Sequence, residues 1–336
     1  EILDNAQTGT RRKTSVAVLA RNQAQVDALC DMIRSGHAID EIIIDFLEVD
    51  GMREAVSMIR QIPEMDGTNN VRVVLATSRI IKPGESGIWK SLLKIEPDGL
   101  LIRSAGLIHK LSTLGGEGAE ITVGDQNVKI PQLIGDFSLN TINSITSNEL
   151  LDYGGLRRIT AAYDLSANAI TELAMAMGPS QSSKLEVIAH AHLPIFHTEH
   201  CVFARFLTRG NSYLDCGHAC TRNNVHLRDE KGKDNLVLAD MGCRNTVFSA
   251  EAQSGIHSLK QWAEAGVGTI RIELVDEGEE DVRRIVEGYL NVLDGKEKAS
   301  SVWETLEEVV DSNGRQGGVG FGSLRNGVER RAGEIV

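Results

Sequence analysis

The sequence predicts an α/β fold, a TIM-like (β/α)8 barrel with a cysteine-rich insertion after the seventh strand. Eight short segments rich in Val, Ile and Leu alternate with amphipathic segments over about 280 residues, which matches the number and spacing of units in such a barrel. Apolar runs such as VAVLA and EIII suit parallel strands that are buried on both faces. An open doubly wound sheet is the alternative, but ARNQAQ after the first strand lacks the G-x-G-x-x-G fingerprint of dinucleotide-binding sheets.

The individual elements follow from local patterns. The strands are predicted at Ser15–Ala20, Glu41–Phe46, Val71–Ala76, Gly99–Ile102, Leu133–Asp136, Arg158–Ala162, Leu185–Ala191 and Thr269–Leu274. Apolar residues spaced i, i+3, i+4, i+7 predict helices around Val26–Ile33, Ile170–Met177 and Val282–Leu290, the second with Ser166 as N-cap. Glu120–Ile130 reads as a hairpin that turns at Gly124–Asp125 and lies over one end of the barrel.

The predicted organisation has three parts. Residues 1–14 form a polar leader, residues 15–310 form the barrel with its insertion at 194–250, and residues 311–336 form a glycine-rich flexible tail. An insertion of that length without regular structure of its own is usually functional or disordered. The chain begins at Glu1 in polar sequence, so we expect a piece of a longer protein without a signal peptide.

Composition narrows the class of function. The net charge of −12 argues against a broad basic face that grips nucleic acid through its phosphates. The tract 201–234 is mildly basic, which leaves room for a local site. No apolar run reaches the roughly 18 residues that a membrane span needs.

Four of the five cysteines fall within 43 residues, with the spacing Cys-x14-Cys-x3-Cys-x22-Cys. This clustering indicates a metal or redox site at Cys201, Cys216, Cys220 and Cys243. The x3 pair differs from the x2 pairs of common zinc ribbons, and iron–sulfur clusters accept looser spacings because their ligands sit on a larger object. Iron–sulfur, zinc and redox-pairing or unliganded thiols all remain open on spacing alone. Cys30 lies on an apolar helical stripe, which predicts a buried structural thiol.

Histidines crowd beside the cysteines. His190 and His192 are two residues apart, which predicts that both lie on one face of the seventh strand and point into the barrel. Active sites of such barrels form at the carboxyl ends of the strands. We therefore predict catalytic roles for His190 and His192 as acid, base or ligand, together with Asp164 after the sixth strand.

Polar residues mark the ends of other strands. The candidates for substrate binding are Arg79, Lys82, Arg103, Asp136, Asn140, Tyr163 and Glu273. Two arginines and a lysine around one opening suit a carboxylate or a phosphate. The alternative is that several of these residues only pair with acidic neighbours.

The tract 190–254 resembles the peptidase U32 family, most closely the C-terminal part of its long multi-domain members. The segments that carry the resemblance are HAHLPIFHTEHCVFARFL, DCGHACTRNNVHLRD and ADMGCRNTVFSAEAQSG. Upstream, ATSRIIKPGE, DGLLIRSAG, LIGDFSLNTINS and AAYDLSANAITEL look like the matching strand–helix units, so the resemblance covers roughly residues 15–310.

The resemblance implies a four-iron cluster on Cys201, Cys216, Cys220 and Cys243. It also implies that the protein supports hydroxylation reactions that do not use molecular oxygen. Targets in the family include a tRNA wobble uridine, a ribosomal cytidine and a ubiquinone precursor, with prephenate as the implied oxygen source. We therefore expect RNA or a small prephenate-like carboxylate as ligand, other domains or a larger complex as partners, and a reducing compartment such as the cytoplasm or an organelle matrix or stroma.

Two alternatives accompany that expectation. One is a non-catalytic, metal-stabilised barrel that serves as a subunit or scaffold. The other is a peptidase, as the family name implies, although no G-x-S-x-G or HExxH motif is present. Short family members place their first two cysteines closer together than Cys201 and Cys216, which bears on the substrate more than on the cluster.

Overall fold

A computed structural model describes residues 14–62, 71–210, 214–309 and 318–326 of the chain. Its strands are β1 Ser15–Ala20, β2 Glu41–Ile44, β3 Arg72–Ala76, β4 Gly99–Ile102, β5 Glu120–Val123, β6 Gln126–Lys129, β7 Gln132–Gly135, β8 Arg158–Thr160, β9 Leu185–Thr198, β10 Val225–Arg228, β11 Asp234–Ala239, β12 Asn245–Ser254, β13 Thr269–Glu273 and β14 Val319–Gly320.

The helices of the described residues lie mostly between these strands. They are α1 Gln23–Arg34, α2 Val49–Arg60, α3 Ser86–Leu93, α4 Ala105–Thr113, α5 Ser144–Asp152, α6 Ala167–Met177, α7 Pro179–Ser182, α8 Val202–Leu207, α9 Leu259–Glu264, α10 Glu279–Leu293 and α11 Ala299–Glu307. Within the described ranges, no helix combines the length and the apolar character needed to cross a membrane.

Eight parallel strands close into a barrel in the order β1, β2, β3, β4, β7, β8, β9, β13. The pairing of β13 with β1 joins the two ends, so the predicted (β/α)8 barrel is confirmed and the open sheet is excluded. Alternate residues of each strand face opposite ways. Val16 and Val18 pack against the helix layer, whereas Ala17 and Leu19 belong to a separate apolar cluster inside the barrel.

The barrel interior also holds an ion-pair network. Arg271 is fully buried and bonds Asp136, Glu186 and Glu273. Arg158 pairs with Glu186 and Glu41 lower in the barrel. In all, five guanidinium groups face five carboxylates, namely Arg21, Arg72, Arg103, Arg158 and Arg271 with Glu41, Asp45, Asp136, Glu186 and Glu273. The charges inside the barrel therefore balance.

The hairpin is present where the sequence predicts it. β5 and β6 pair antiparallel, and Gly124 takes the left-handed conformation (φ 65°) at the turn. Val123 and Val128 are buried against the main core. The hairpin directly precedes β7 and so lies toward the end of the barrel away from the carboxyl ends of the strands.

The insertion differs from the expectation, because it has regular structure of its own. β9 does not stop at Ala191 but continues to Thr198, where it pairs antiparallel with β12. β11 and β10 add to β12, also antiparallel. We call residues 193–198 of β9 together with β10, β11 and β12 the inserted sheet. Because residues 193–198 continue the barrel strand β9, the inserted sheet is joined to the barrel wall through backbone hydrogen bonds. The inserted sheet therefore lies over the carboxyl ends of the strands.

Residues 318–326 of the predicted glycine-rich tail are described, and part of them forms β14. Val319 and Gly320 pair with Ala252 and Gln253 of β12. Leu324 is buried in the main core, beside Gly255 and Trp262. The remainder of the predicted tail, and residues 1–13 of the predicted leader, lie outside the described residues.

Candidate metal and substrate site

A cavity of about 460 Å³ lies between the mouth of the barrel and the inserted sheet. Loops after β1, β2, β3, β4 and β7 form its floor, with Arg21, Asp45, Arg79, Arg103 and Phe137. The inserted sheet forms its roof. We call this space the mouth cavity. Its position at the carboxyl ends of the strands is where barrels of this architecture place their active sites.

The floor carries charge that is largely neutralised by the protein itself. Arg103 donates to both oxygens of Asp45 (3.0 and 2.9 Å) and to Asp136 (2.8 Å). Despite burial, these two carboxylates raise the pKa of Arg103. Asp136 is buried, yet Arg271 and Arg103 lower its pKa to about 2. Arg103, Asp136 and Glu273 are thus members of the ion-pair network, which favours the alternative of internal pairing for these three predicted substrate ligands.

Arg79 is different from Arg103. Its guanidinium lies 5.6 Å from the centre of the Phe137 ring and lines the mouth cavity. Among the described residues, no carboxylate forms an ion pair with Arg79. A cation with no anionic partner beside an aromatic ring can bind an anionic or a planar ligand.

The other predicted polar residues are scattered. Lys82 is half exposed and pairs with Glu199 at the rim. Asn140 is exposed and ends a short 3-10 helix in the left-handed conformation (φ 56°). Tyr163 packs edge-on against Phe137 at 4.6 Å, and Asp164 is exposed. Lys82, Asn140, Tyr163 and Asp164 do not line the mouth cavity, so the structure does not bring the predicted site residues together as one set.

The four clustered cysteines lie in one neighbourhood of the insertion. Cys201 and Cys220 pack on a small apolar cluster of Phe203, Ala219, Val237 and Val247. Burial, together with the neighbouring Cys201, Cys220 and Cys216, raises the pKa of Cys243 to about 11. Each of the four thiols is half-buried and free of disulfides.

Two turns with positive φ hold three of these cysteines, Cys216, Cys220 and Cys243. Cys243 has a positive φ of 61°, which is uncommon for a residue other than glycine and marks a functional or structural constraint. Gly217 and His218, between Cys216 and Cys220, also have positive φ. The chain therefore bends sharply at two of the three places where it presents a clustered cysteine, whereas Cys201 has extended backbone.

Four free thiols from one neighbourhood match the donor set of a thiolate-bound metal centre. Within the described ranges, no group of three or more His, Cys, Asp or Glu side chains has the spacing to hold a metal ion. The thiols are thus neighbours in this conformation and not a formed ligand set. The donor chemistry fits a metal, and Cys220 reaches the wall of the mouth cavity.

The predicted orientation of His190 and His192 is wrong. The pairing of β9 with β13 shifts register between Ile188 and His190, because β9 carries a β-bulge there. Ile188 and Ala191 consequently share the cluster at the barrel mouth. His190 instead packs edge-on against Tyr289 of α10, and His192 contacts the Ser249 carbonyl and Glu277, so neither histidine lines the mouth cavity.

These histidines line a separate cavity of about 40 Å³, which is room for little more than water. Burial lowers the pKa of His190 to about 4. Burial also acts to lower the pKa of His192, but its bond to Glu277 outweighs that effect and raises it. His192 Nδ1 donates to the carbonyl oxygen of Ser249 (2.6 Å), and its Nε2 lies 3.4 Å from Glu277. His192 therefore connects Ser249, in β12 of the inserted sheet, with Glu277, which follows β13 of the barrel.

Two residues of the mouth cavity were missed as site candidates. His197 lies 2.9 Å from the hydroxyl of Thr246, and burial together with nearby arginines lowers its pKa to about 4. Asp240 accepts bonds from two backbone amides, and burial raises its pKa. Finding His197 required knowing that β9 continues past the barrel, because the strand places it under the roof.

Comparisons with known proteins identify a family and include a distant likeness among solved structures. No curated protein matches this chain. A putative fructose-1,6-biphosphate aldolase from Coccidioides immitis shares 9% identity with a TM-score of 0.42, over 88% of this chain and 90% of that chain. The sequence profile of Peptidase family U32 matches residues 135–323, more than half of the chain and all four clustered cysteines. The chain therefore belongs to peptidase family U32.

Proposed function

We propose that this protein is an iron–sulfur enzyme whose substrate binds in the mouth cavity. The observation that carries the proposal is the position of Cys220, which belongs to the group of four neighbouring thiols and also lines that cavity. A cluster held by Cys201, Cys216, Cys220 and Cys243 would supply electron transfer at the cavity wall. Zinc on the same thiols is the alternative metal.

The reaction class is oxygen-independent hydroxylation, as the family resemblance implies. The mouth cavity has the volume of a small-molecule site, which is about 300–1,000 Å³. Arg79 binds an anionic group, and Phe137 and Phe248 contact a planar ring. A nucleobase of RNA or a small aromatic molecule fits these features, with a prephenate-like carboxylate as the oxygen donor.

Metal content tests the proposal most directly. The protein is purified without oxygen, and iron, sulfide, zinc and visible absorption are measured. We expect stoichiometric iron and sulfide, with loss of both in Cys220→Ser. Cys30→Ala is the matched control, because Cys30 is buried in the main core as predicted and lies apart from the other thiols. A colourless protein with stoichiometric zinc would overturn the iron–sulfur assignment.

The substrate is identified in cells. Mass spectrometry compares RNA modifications and quinones in a strain that lacks this protein with those in the parent strain. We expect one hydroxylated nucleoside or quinone intermediate to disappear, and restoration by the wild-type gene but not by Cys220→Ser. Unchanged RNA and quinones would favour a metal-stabilised scaffold within a larger assembly.

A hydrolase is the second candidate, and one contact favours it. His197 and the hydroxyl of Thr246 are 2.9 Å apart beside the mouth cavity, which is within reach for general-base activation of a hydroxyl. This reading predicts peptide hydrolysis that survives removal of metal and disappears in Thr246→Val. Hydrolysis that is absent, or that is unchanged in Thr246→Val, would exclude it.

A further inference from the structure

Arg244 makes an ion-pair junction between the inserted sheet and the barrel. Its side chain is 1% exposed. Its Nε donates to Glu199 at 2.9 Å, and one terminal nitrogen donates to both oxygens of Glu85 at 3.0 and 2.9 Å. Glu85 lies 159 residues earlier in the chain, in the loop after β3. These contacts join distant parts of the chain at the edge of the mouth cavity.

The backbone of Arg244 belongs to the turn that presents Cys243. The amides of Gly242 and Arg244 both donate to Asp240 Oδ1, and the Cys243 amide donates to the Asp240 carbonyl. A Cβ on Gly242 would lie 1.9 Å from the Arg244 guanidinium. The turn and the guanidinium are therefore packed as one unit, which we call the cysteine turn (Asp240–Arg244).

The other end of the junction belongs to the substrate side. Glu85 accepts a bond from the backbone amide of Lys82 at 2.8 Å, which fixes the carboxylate within its loop. The same loop contains Ser78 and Arg79, both of which line the mouth cavity. The loop therefore lines the cavity through Arg79 and bonds Arg244 through Glu85. A displacement of the loop would change both contacts.

We propose that Arg244 and Glu85 are positioning residues that set the place of Cys243 relative to the substrate-binding loop. This inference rests on the proposed metal centre. It adds that the position of the metal ligand Cys243 depends on the loop that lines the mouth cavity. A buried guanidinium that bonds two carboxylates has a fixed geometry, which a lysine does not reproduce. Neither residue is assigned contact with substrate or metal.

The test compares Glu85→Gln and Arg244→Lys with the control Arg228→Gln. Arg228 also pairs with a carboxylate in the inserted sheet, Asp234, but it is exposed and does not reach the barrel. The readouts are the rate of iron loss to a chelator and the electron paramagnetic resonance spectrum of the reduced protein. We expect about tenfold faster iron loss and an altered spectrum in both test variants, and wild-type behaviour in the control.

Glu85→Gln is the decisive variant, because it alters no atom of the cysteine turn. A wild-type spectrum and a wild-type rate of iron loss in Glu85→Gln would overturn the inference, and equal effects in Arg228→Gln would reduce it to a general effect of charge. Hydrogen exchange of the metal-free protein supplies a readout independent of the metal. There, Glu85→Gln is expected to speed exchange at residues 240–247.

Failure of the two proposals is distinguishable. A wild-type protein that binds no metal overturns the proposed function, whereas exchange at the cysteine turn still reports whether Glu85 restrains it. A wild-type protein that binds metal, with a turn that ignores Glu85, overturns only the coupling.

Discussion

Arginine performs two different tasks in this barrel. Arg271 and Arg103 each pair with more than one carboxylate, so their charges neutralise acidic groups inside the barrel. Removing one member of such a network leaves a charge buried without compensation, which is strongly destabilising. Arg79 also lines the mouth cavity, but among the described residues it pairs with no carboxylate, so the two kinds of arginine are separable by mutation.

Arg103→Met is expected to destabilise the fold, whereas Arg79→Met is not. Asp45 and Asp136 keep Arg21 and Arg271 as partners, but loss of Arg103 leaves the network with one uncompensated buried negative charge, at a cost of about 3 kcal/mol in the free energy of unfolding. Loss of Arg79 removes no ion pair of the described residues and should cost less than about 0.5 kcal/mol, while ligand binding weakens. Denaturant unfolding of both variants checks the first part. Equal stability of the two would contradict the internal role of Arg103.

The pair of His192 and Glu277 predicts a defined pH window. Burial acts to raise the pKa of Glu277, but His192 lowers it to about 2 from 4.5, so its contribution to stability is present above pH 4.5 and lost as pH falls. The pKa of His192 is raised above 6.5, so its contribution is complete below pH 6.5 and lost as pH rises through the folded value. The pair thus stabilises most between these limits.

Glu277→Gln should therefore lower the free energy of unfolding by about 3 kcal/mol within that window, and by less on either side. Urea unfolding at a series of pH values measures the difference from the wild type. Glu280→Gln is the control, because it removes a carboxylate that is 89% exposed. A difference independent of pH would contradict the charged pair.

At the scale of elements, the positions of the barrel strands could be predicted from the sequence, but the effect of the β-bulge in β9 could not. The eight strands were predictable, since each is a short apolar run with clear ends. The orientation of His190 and His192 was not, because the register shift after Ile188 reverses the alternation. The bulge is visible only in the pairing of β9 with β13, which are far apart in the sequence. The local sequence pattern of β9 carries no information about that pairing.

The inserted sheet escaped prediction for a related reason. Residues 193–198 contain a proline, two polar residues and exposed apolar side chains such as Phe196, so they lack the pattern of a buried strand. They are a strand because β12 returns beside them. The cysteine neighbourhood was predictable from clustering, whereas its position over the barrel mouth depends on this antiparallel return.

The described part of the tail is expected to contribute to stability. Leu324 is 3% exposed and fills space beside Gly255 and Trp262. Leu324→Ala should lower the free energy of unfolding by about 2–3 kcal/mol, because the methyl groups are lost and a cavity remains. Leu227→Ala is the control, since Leu227 is 49% exposed. Equal effects of the two substitutions would mean that the tail does not dock in solution.

For the whole molecule, the barrel and the inserted sheet differ in what stabilises them. The barrel has a large apolar core and an internal ion-pair network. The apolar cluster under the cysteines is small, and its buried members are Phe203, Ala219, Val237 and Val247. Small apolar clusters commonly need a metal or a disulfide for stability, and these cysteines form no disulfide.

If the proposed metal centre is present, removal of its metal should therefore loosen the insertion and leave the barrel intact. A ligand that binds only the folded insertion stabilises that part by mass action, and regions of low local stability open independently of a core. Hydrogen exchange before and after chelation is the measurement. We expect faster exchange in 201–210 and 214–244, with unchanged protection of β1, β2 and β13. Cys30→Ala should follow the wild type, and Cys220→Ser should resemble the metal-free protein before any chelation. Uniform acceleration across the barrel would show that the metal supports the entire fold, and no acceleration in the insertion would show that its small core suffices alone.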